Sequence, residues 1–439
     1  MTGRGDVPSD APESAPSPVV IRARRWAGLV IVLACLALGA PWQPARAADD
    51  TCLDCHRMND DERLVGPTRG WPRDIHYERG LTCASCHGGD PTDGDLTAMD
   101  PKHGFRGKIR RGDVATMCAR CHADAAFMKR YNPRPYIFSI DEWKTSVHCK
   151  REEEGDNKVA TCINCHGVHG IRPHTDPVSP VYPTNVPSTC AKCHNATYMK
   201  GRTVPTNQFD LYTTSVHGVA LLENNEVSAP ACNDCHGNHG AAPPGLKDVT
   251  HVCSTCHGRE AELFTKSKMK AGMDAMGKKG CITCHGNHGI QHPTDSMLSI
   301  REGGACQGCH APGSTAEKAT AELIGGYFGL RAAVHSADSL LHLAEQRGME
   351  TAYGRAALKE ANDQVVGVRA VLHSFDPAVI GATLDEGRTS ARNASDEGRK
   401  AIRNWTERRY GTAASLGVIL LMIVLLVLKI RQIERDDKV

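Results

Sequence analysis

Nine copies of one five-residue pattern, Cys-x-x-Cys-His, run between Cys52 and His310, and they constrain everything this chain can fold into. The first is Cys52-Leu53-Asp54-Cys55-His56. Then come Cys83, Cys86 and His87; Cys118, Cys121 and His122; Cys162, Cys165 and His166; and Cys190, Cys193 and His194. The last four are Cys232, Cys235 and His236; Cys253, Cys256 and His257; Cys281, Cys284 and His285; and Cys306, Cys309 and His310. Together they use 18 of the 20 cysteines. The pattern is the attachment signature of c-type haem. Two thiols two residues apart can add to the two vinyl groups of one porphyrin, and the next histidine is placed to ligate the iron on one face. Structural zinc takes such thiol pairs two to a metal. An odd number of pairs, each followed by histidine, does not suit it. A disulfide framework has no use for the histidine. The expectation is nine covalent haem c groups.

Composition turns that expectation into a statement about the core. About 29 residues of chain serve each motif, and segments of about 40 residues or fewer rarely fold without disulfides, metals or partners. The porphyrins are therefore expected to form the hydrophobic core, and the haem-free chain to be unfolded. A formal net charge of +2 argues against a nucleic-acid partner.

Haem attachment of this kind occurs outside the bacterial cytoplasm, so an export signal is expected. Arg22, Arg24 and Arg25 precede an apolar run from Trp26 to Ala40, and Ala45-Arg46-Ala47 permits cleavage after Ala47. Residues 1–47 thus read as a disordered leader plus signal peptide; an uncleaved N-terminal anchor is the alternative. Cys35 would leave with the signal. A second apolar run, Ala413 to Leu428, extends through Lys429 to Ile430. It reads as a transmembrane helix over 411–430, with Trp405 and Tyr410 at the interface and a tail over 431–439. Basic residues flank both ends, so topology follows from the haems instead. The haem domain is expected in the periplasm, the anchor in the bacterial inner membrane and the tail in the cytoplasm.

The motifs recur in a larger unit: Ser-x-His, then Cys-x-x-Cys-His-Gly-x-His-Gly, a Pro-rich loop, and a second Cys-x-x-Cys-His. It is clearest where Ser146-Val147-His148 leads to the Cys162 motif, His169 and Gly170, with the Cys190 motif following. Ser215-Val216-His217 leads likewise to Cys232, His239 and Cys253. A degenerate first unit carries His76 before Cys83 and His103 before Cys118. Repeats of this kind mean stacked modules. Thirteen of the 22 histidines lie outside the motifs, enough to close the second face of every iron. By repeat position the distal candidates are His76, His103, His148, His169, His217, His239 and His288, with His174, His251 and His292 as weaker ones. In the last unit Met269 stands where the others have histidine, within a stretch of three methionines and five lysines from Lys266 to Lys279. It reads as a His/Met ligand with a basic docking patch, as a neighbour of an open haem, or as packing against a porphyrin. Cys149 reads as a free, buried thiol.

Beyond Ser314 cysteine vanishes, and Ala, Leu, Glu and Arg take over. Leu330, Val334, Ala337, Leu341 and Ala344 form one apolar seam, and Leu358, Ala361, Val365, Val368 and Leu372 another. With Gly348 and Pro377 as breaks and a third helix from Pro377 to Trp405, these predict an antiparallel bundle over 313–410. His335, His342 and His373 lie beside the seams, either as polar flanks or as one more iron ligand. The fold expected is mainly α with much irregular structure: a haem-packed domain over 48–312, the bundle, and one transmembrane helix.

These motifs resemble those of the bacterial multihaem cytochromes c, over about Asp49 to Pro312. The doubled motif is similar to that of periplasmic electron-transfer members. The trailing helices are loosely similar to those of pentahaem nitrite reductases and octahaem hydroxylamine oxidoreductases. The first of these use a Cys-x-x-Cys-Lys catalytic haem that this chain lacks. The NapC/NirT quinol dehydrogenases are anchored at the N-terminus, whereas here the expected anchor is C-terminal. The resemblance implies a membrane-anchored conduit, taking electrons from a quinol-oxidising partner such as a b-type cytochrome to periplasmic redox proteins. The alternatives are a multihaem reductase of a small nitrogen or sulfur oxyanion with an open haem, and a subunit that mainly anchors another cytochrome.

Overall fold

The computed structural model describes residues 50–243, 245–246 and 249–436. The leader, the signal peptide and the last three residues of the expected tail lie outside the described residues. The chain is mainly helical, and no strand occurs among the described residues. It divides into two compact units. Of the described residues, one comprises 50–113 with Arg130–Pro133 and Gly167–Arg172; the other comprises Val114–Lys129, Arg134–His166 and those from Pro173 to 436.

Up to His310 the helices are short, and their ends are written in the sequence. Several motifs close a single helical turn: Ala84–His87, Cys162–His166, Cys232–His236 and Cys281–His285. The glycine after the motif stops it. Gly88, Gly237 and Gly286 have φ of 71, 74 and 73° with ψ of −167, 168 and −164°. Only glycine adopts this region readily, so the chain can leave the motif histidine at an angle no other residue permits cheaply.

A second device is a buried cap two residues before each upstream ligand candidate. The Asp74 carboxylate accepts from the His76 N–H at 2.9 Å, and the Ser146 hydroxyl from the Cys149 N–H at 3.1 Å. Ser215 accepts from Gly218 at 3.0 Å and Ser267 from Lys270 at 3.1 Å. Each satisfies an orphan N–H of a helix start. Each sets the residue two positions on, His76, His148, His217 or Met269, in the first helical turn.

The Gly-x-His-Gly tails dock beside these caps. In the first unit the Ile171 N–H donates to Asp74 Oδ2 at 2.8 Å, and the Ile75 N–H to the Ile171 carbonyl at 2.9 Å. In the second, the Val216 N–H donates to the Ile290 carbonyl at 2.8 Å, and the Ala241 N–H to Thr145 Oγ1 at 3.0 Å.

Three long helices follow: α1 (Thr315–Gln346), α2 (Ala352–Val371) and α3 (Pro377–Asp436). Short turns make neighbours antiparallel, and Gly348, at φ 73°, ends the first. Leu330, Val334, Ala337, Leu341 and Ala344 are buried on α1; Leu358, Ala361 and Val368 on α2, with Val365 and Leu372 packed at the margin. On α3 the buried positions are Ile380, Leu384, Gly387, Ala391, Ala394, Gly398 and Ala401, again alternating four and three. The small residues let α1 and α2 close on α3. Arg355 ties the α1–α2 turn by donating to Glu345 at 2.7 and 2.6 Å, which holds that carboxyl down at about 2.

The third helix does not stop at Trp405. It runs unbroken into the apolar segment, so the bundle helix and the expected span over 411–430 are one helix. Between them lies one glycine, Gly411, and no proline. A single glycine costs about 1 kcal/mol in a helix, too little to end one. This helix is long and apolar enough to cross a membrane, and its side chains from Leu416 to Ile433 are exposed. Arg347 and Arg409 lie over the Trp405 ring, 4.4 and 5.4 Å from its centroid.

Gly387 tests the bundle packing. A Cβ there would meet Leu330 Cδ2 at 2.8 Å and Gln364 Cβ at 2.9 Å. The leucine tip can turn away, but the glutamine Cβ moves only with its helix. Overpacking costs about 1–3 kcal/mol, against about 1 kcal/mol of gained helix propensity. Gly387→Ala is therefore expected to lower bundle stability by about 1 kcal/mol in thermal unfolding; an unchanged or raised Tm would refute the packing described.

Candidate metal centre

Among the described residues, six imidazole pairs face one another, and each joins one motif histidine to one histidine from elsewhere. In the first unit His87 stacks on His169, centroids 6.0 Å apart and planes at 17°. In the second, His166 faces His239 at 6.1 Å and 16°, His236 faces His288 at 5.7 Å and 17°, and His285 faces His373 at 6.1 Å and 20°. His148 faces His194 at 6.3 Å and His217 faces His257 at 6.3 Å, with planes at 63 and 45°.

These separations suit one metal ion between two ring nitrogens. At about 2 Å per metal–nitrogen bond, two trans imidazoles have centroids about 6 Å apart. The Nε2 atoms of His236 and His288 stand 3.4 Å apart; they need about 4 Å, so these rings would part by about half an ångström. Among the described residues no three or more His, Cys, Asp or Glu gather to hold a bare ion. The pairs offer two axial donors and leave the equatorial ones to a group that brings its own, as a porphyrin does. The donor set fits haem.

The ring nitrogens away from the partner are anchored where hydrogen bonds occur. His87 Nδ1 lies 2.8 Å from the Gly107 carbonyl and His373 Nδ1 3.1 Å from the Ala370 carbonyl; outside the six pairs, the half-buried distal candidate His76 has its Nδ1 2.8 Å from Asp74. Each bond fixes the tautomer that leaves Nε2 free as a donor. Burial holds His148, His166, His169, His194, His217, His236, His239, His285 and His288 below the ordinary imidazole range; a neighbouring imidazole lowers all but His236 further. The neutral ring, which is the ligating form, is favoured.

Thiols of successive motifs also come together. Cys118 lies beside Cys162, Cys190 beside Cys232, and Cys253 beside Cys281. Cys165 lies within electrostatic reach of Cys190 and Cys193, Cys235 of Cys256, and Cys284 of Cys306 and Cys309. From the third motif to the ninth the thiol pairs form an unbroken series. In the first unit Cys52 and Cys83 share the carboxylate of Asp50, which accepts from the Cys83 N–H at 2.8 Å.

Of the distal candidates read from the repeat, His148, His169, His217, His239 and His288 thus stand opposite motif histidines. His103, His174 and His292 are exposed, and none has an imidazole opposite it among the described residues; the same holds for the half-buried motif histidines His56 and His310. His251 is exposed. Met269 is half-buried at the position its repeat predicts; Met273, a turn later, is buried, and Met276 exposed. Lys266 and Lys270 are ion-paired within their helices to Glu262 and Asp274, which weakens the basic patch. Cys149 is buried with Phe138 and Trp143, and burial pushes its thiol up. On α1, His335 and His342 are exposed. His373 had no signal in the repeat; only packing singles it out. No family model, curated protein or solved structure matches this chain.

Gly70 tests the docking that carries His169. A Cβ there would lie 1.9 Å from the His169 carbonyl oxygen. Gly70→Ala is expected to release the Ile171 and Ile75 amides. Loss of two hydrogen bonds of about 1 kcal/mol each should speed their hydrogen exchange about tenfold or more, and unchanged protection would contradict this docking.

Proposed function

We propose that the chain is a periplasmic multihaem c-type cytochrome with nine covalent haems, anchored in the bacterial inner membrane by α3. It carries electrons between a quinol-oxidising membrane partner, such as a b-type cytochrome, and periplasmic acceptors. The observation that carries the reading is the set of six opposed imidazole pairs at iron-spanning separation, each half motif and half non-motif. Haem bound at the motifs supplies one-electron chemistry at potentials set by the axial ligands.

The chain's own residues do the rest. The thiol pairs fix position, and their adjacency from motif to motif keeps neighbouring centres close. The paired histidines would hold the iron from both sides and so leave it no position for substrate or water. No side chain is asked to move a proton. The long α3 helix ties the array to a surface it is apolar enough to enter.

A second reading, an oxyanion reductase, draws support from the two ends of the series. His56 and His310 have no opposing imidazole among the described residues, so an open coordination position belongs at the first or ninth motif.

Intact-mass measurement of the detergent-extracted protein is expected to show nine added haems, and low-temperature paramagnetic resonance to show at least six low-spin irons. Far fewer haems would refute the cytochrome. High-spin iron limited to one or two centres and shifted by nitrite or sulfite would favour the reductase over the conduit.

A further inference from the structure

The Gly-x-His-Gly histidines do not serve their own module. His169, from the Cys162 module, faces His87; His239, from the Cys232 module, faces His166; His288, from the Cys281 module, faces His236. Each module closes the first motif of the one before it. The Cys281 module is the last, so no following Gly-x-His-Gly exists to close His285.

The helical bundle stands in that place. His373 lies in the turn Leu372–Ser374 that ends α2, half-buried, 6.1 Å from His285 with planes at 20°. The stacked pairs of the earlier modules have 16 and 17°. The ring is aimed by its neighbours. Its Nδ1 is held by the Ala370 carbonyl at 3.1 Å, as His87 Nδ1 is by Gly107. Two residues on, Phe375 adopts φ +48°, ψ +29°, a left-handed conformation unusual for a bulky residue. Its ring meets Phe264 edge-on at 6.3 Å and 66°, on the helix Gly258–Thr265 that follows the seventh motif. The left-handed Phe375 ends the helix, and its contact with Phe264 holds the turn that carries His373 against the helix after the seventh motif.

We propose that His373 is the distal axial ligand of the haem attached at Cys281 and Cys284, opposite His285. The bundle is then the terminal module of the haem array as well as its stalk, filling the role that capping repeats fill in other modular folds. The assignment rests on the haem reading above. It also links the membrane helix to the array: α2 carries the ligand, and α3, packed along α2, enters the apolar span.

The test uses the full-length, detergent-extracted protein and the variants His373→Ala, His373→Met and, for comparison, His342→Ala on the exposed face of α1. Each is measured by intact mass, by spin quantitation and by redox titration. With nine haems retained, His373→Ala is expected to convert one iron in nine from low to high spin, and added imidazole to restore it. His373→Met should keep that iron low-spin and raise the potential of one haem, because His/Met ligation lies above bis-His. His342→Ala should change nothing. Unaltered spin and potentials in the His373 variants, or the same change in His342→Ala, would overturn the assignment. If His373→Ala fails to accumulate, an unaltered titration of His373→Met overturns it equally. A parent protein without nine haems overturns the haem reading itself, which the mass reports separately.

Discussion

The structure depends on pairs of imidazoles held about 6 Å apart by segments distant in sequence. A motif turn of four or five residues has almost no apolar surface of its own. Small apolar clusters, Phe138 with Trp143 and Val186 with Leu221, and main-chain hydrogen bonds pack around these turns. In the proposed reading a porphyrin fills the gap between opposed rings, and the metal–nitrogen bonds do what side-chain interdigitation does in an ordinary core. The long bundle is the contrast. Its buried seams of leucine, valine and alanine need no cofactor, and its glycines and alanines allow the close helix approach that makes the packing dense.

Backbone devices make the pairs reproducible. Asp74, Ser146, Ser215 and Ser267 cap short helices and start a ligand position in the first turn. Gly88, Gly237 and Gly286 end the motif turns in a conformation reserved for glycine. The ligand-bearing tails then hydrogen-bond beside the caps, as Ile171 does to Asp74. These histidines are therefore positioned by main-chain bonds first, and the rings of His76, His87 and His373 are further oriented by a carboxylate or carbonyl.

Much of this was legible in the sequence because it is local. The motif, the glycine after it, the serine cap and the seams of α1 and α2 each depend on residues within one or two helical turns. The repeat exposed His148, His169, His217, His239 and His288 as a set. Which motif each one faces was not legible, since that depends on how modules stack. His103 had a place in the repeat but stands exposed. His373 had no such place, yet faces His285. The continuity of α3 was also missed, because a change in composition at Trp405 is not a helix stop when only one glycine intervenes.

The amino-acid order alone determined the number of Cys-x-x-Cys-His motifs, the helical character of the C-terminal third, and the presence of a C-terminal segment apolar enough for a membrane. These follow from spacing and periodicity, which a chain carries whether or not it is folded. Only the tertiary structure decided the partners across each gap: the reach of each Gly-x-His-Gly tail back to the preceding module, and the loan of His373 from the bundle to the last one. Opposition of two rings is a property of segments brought together through space, and nothing within either segment encodes the distance to the other.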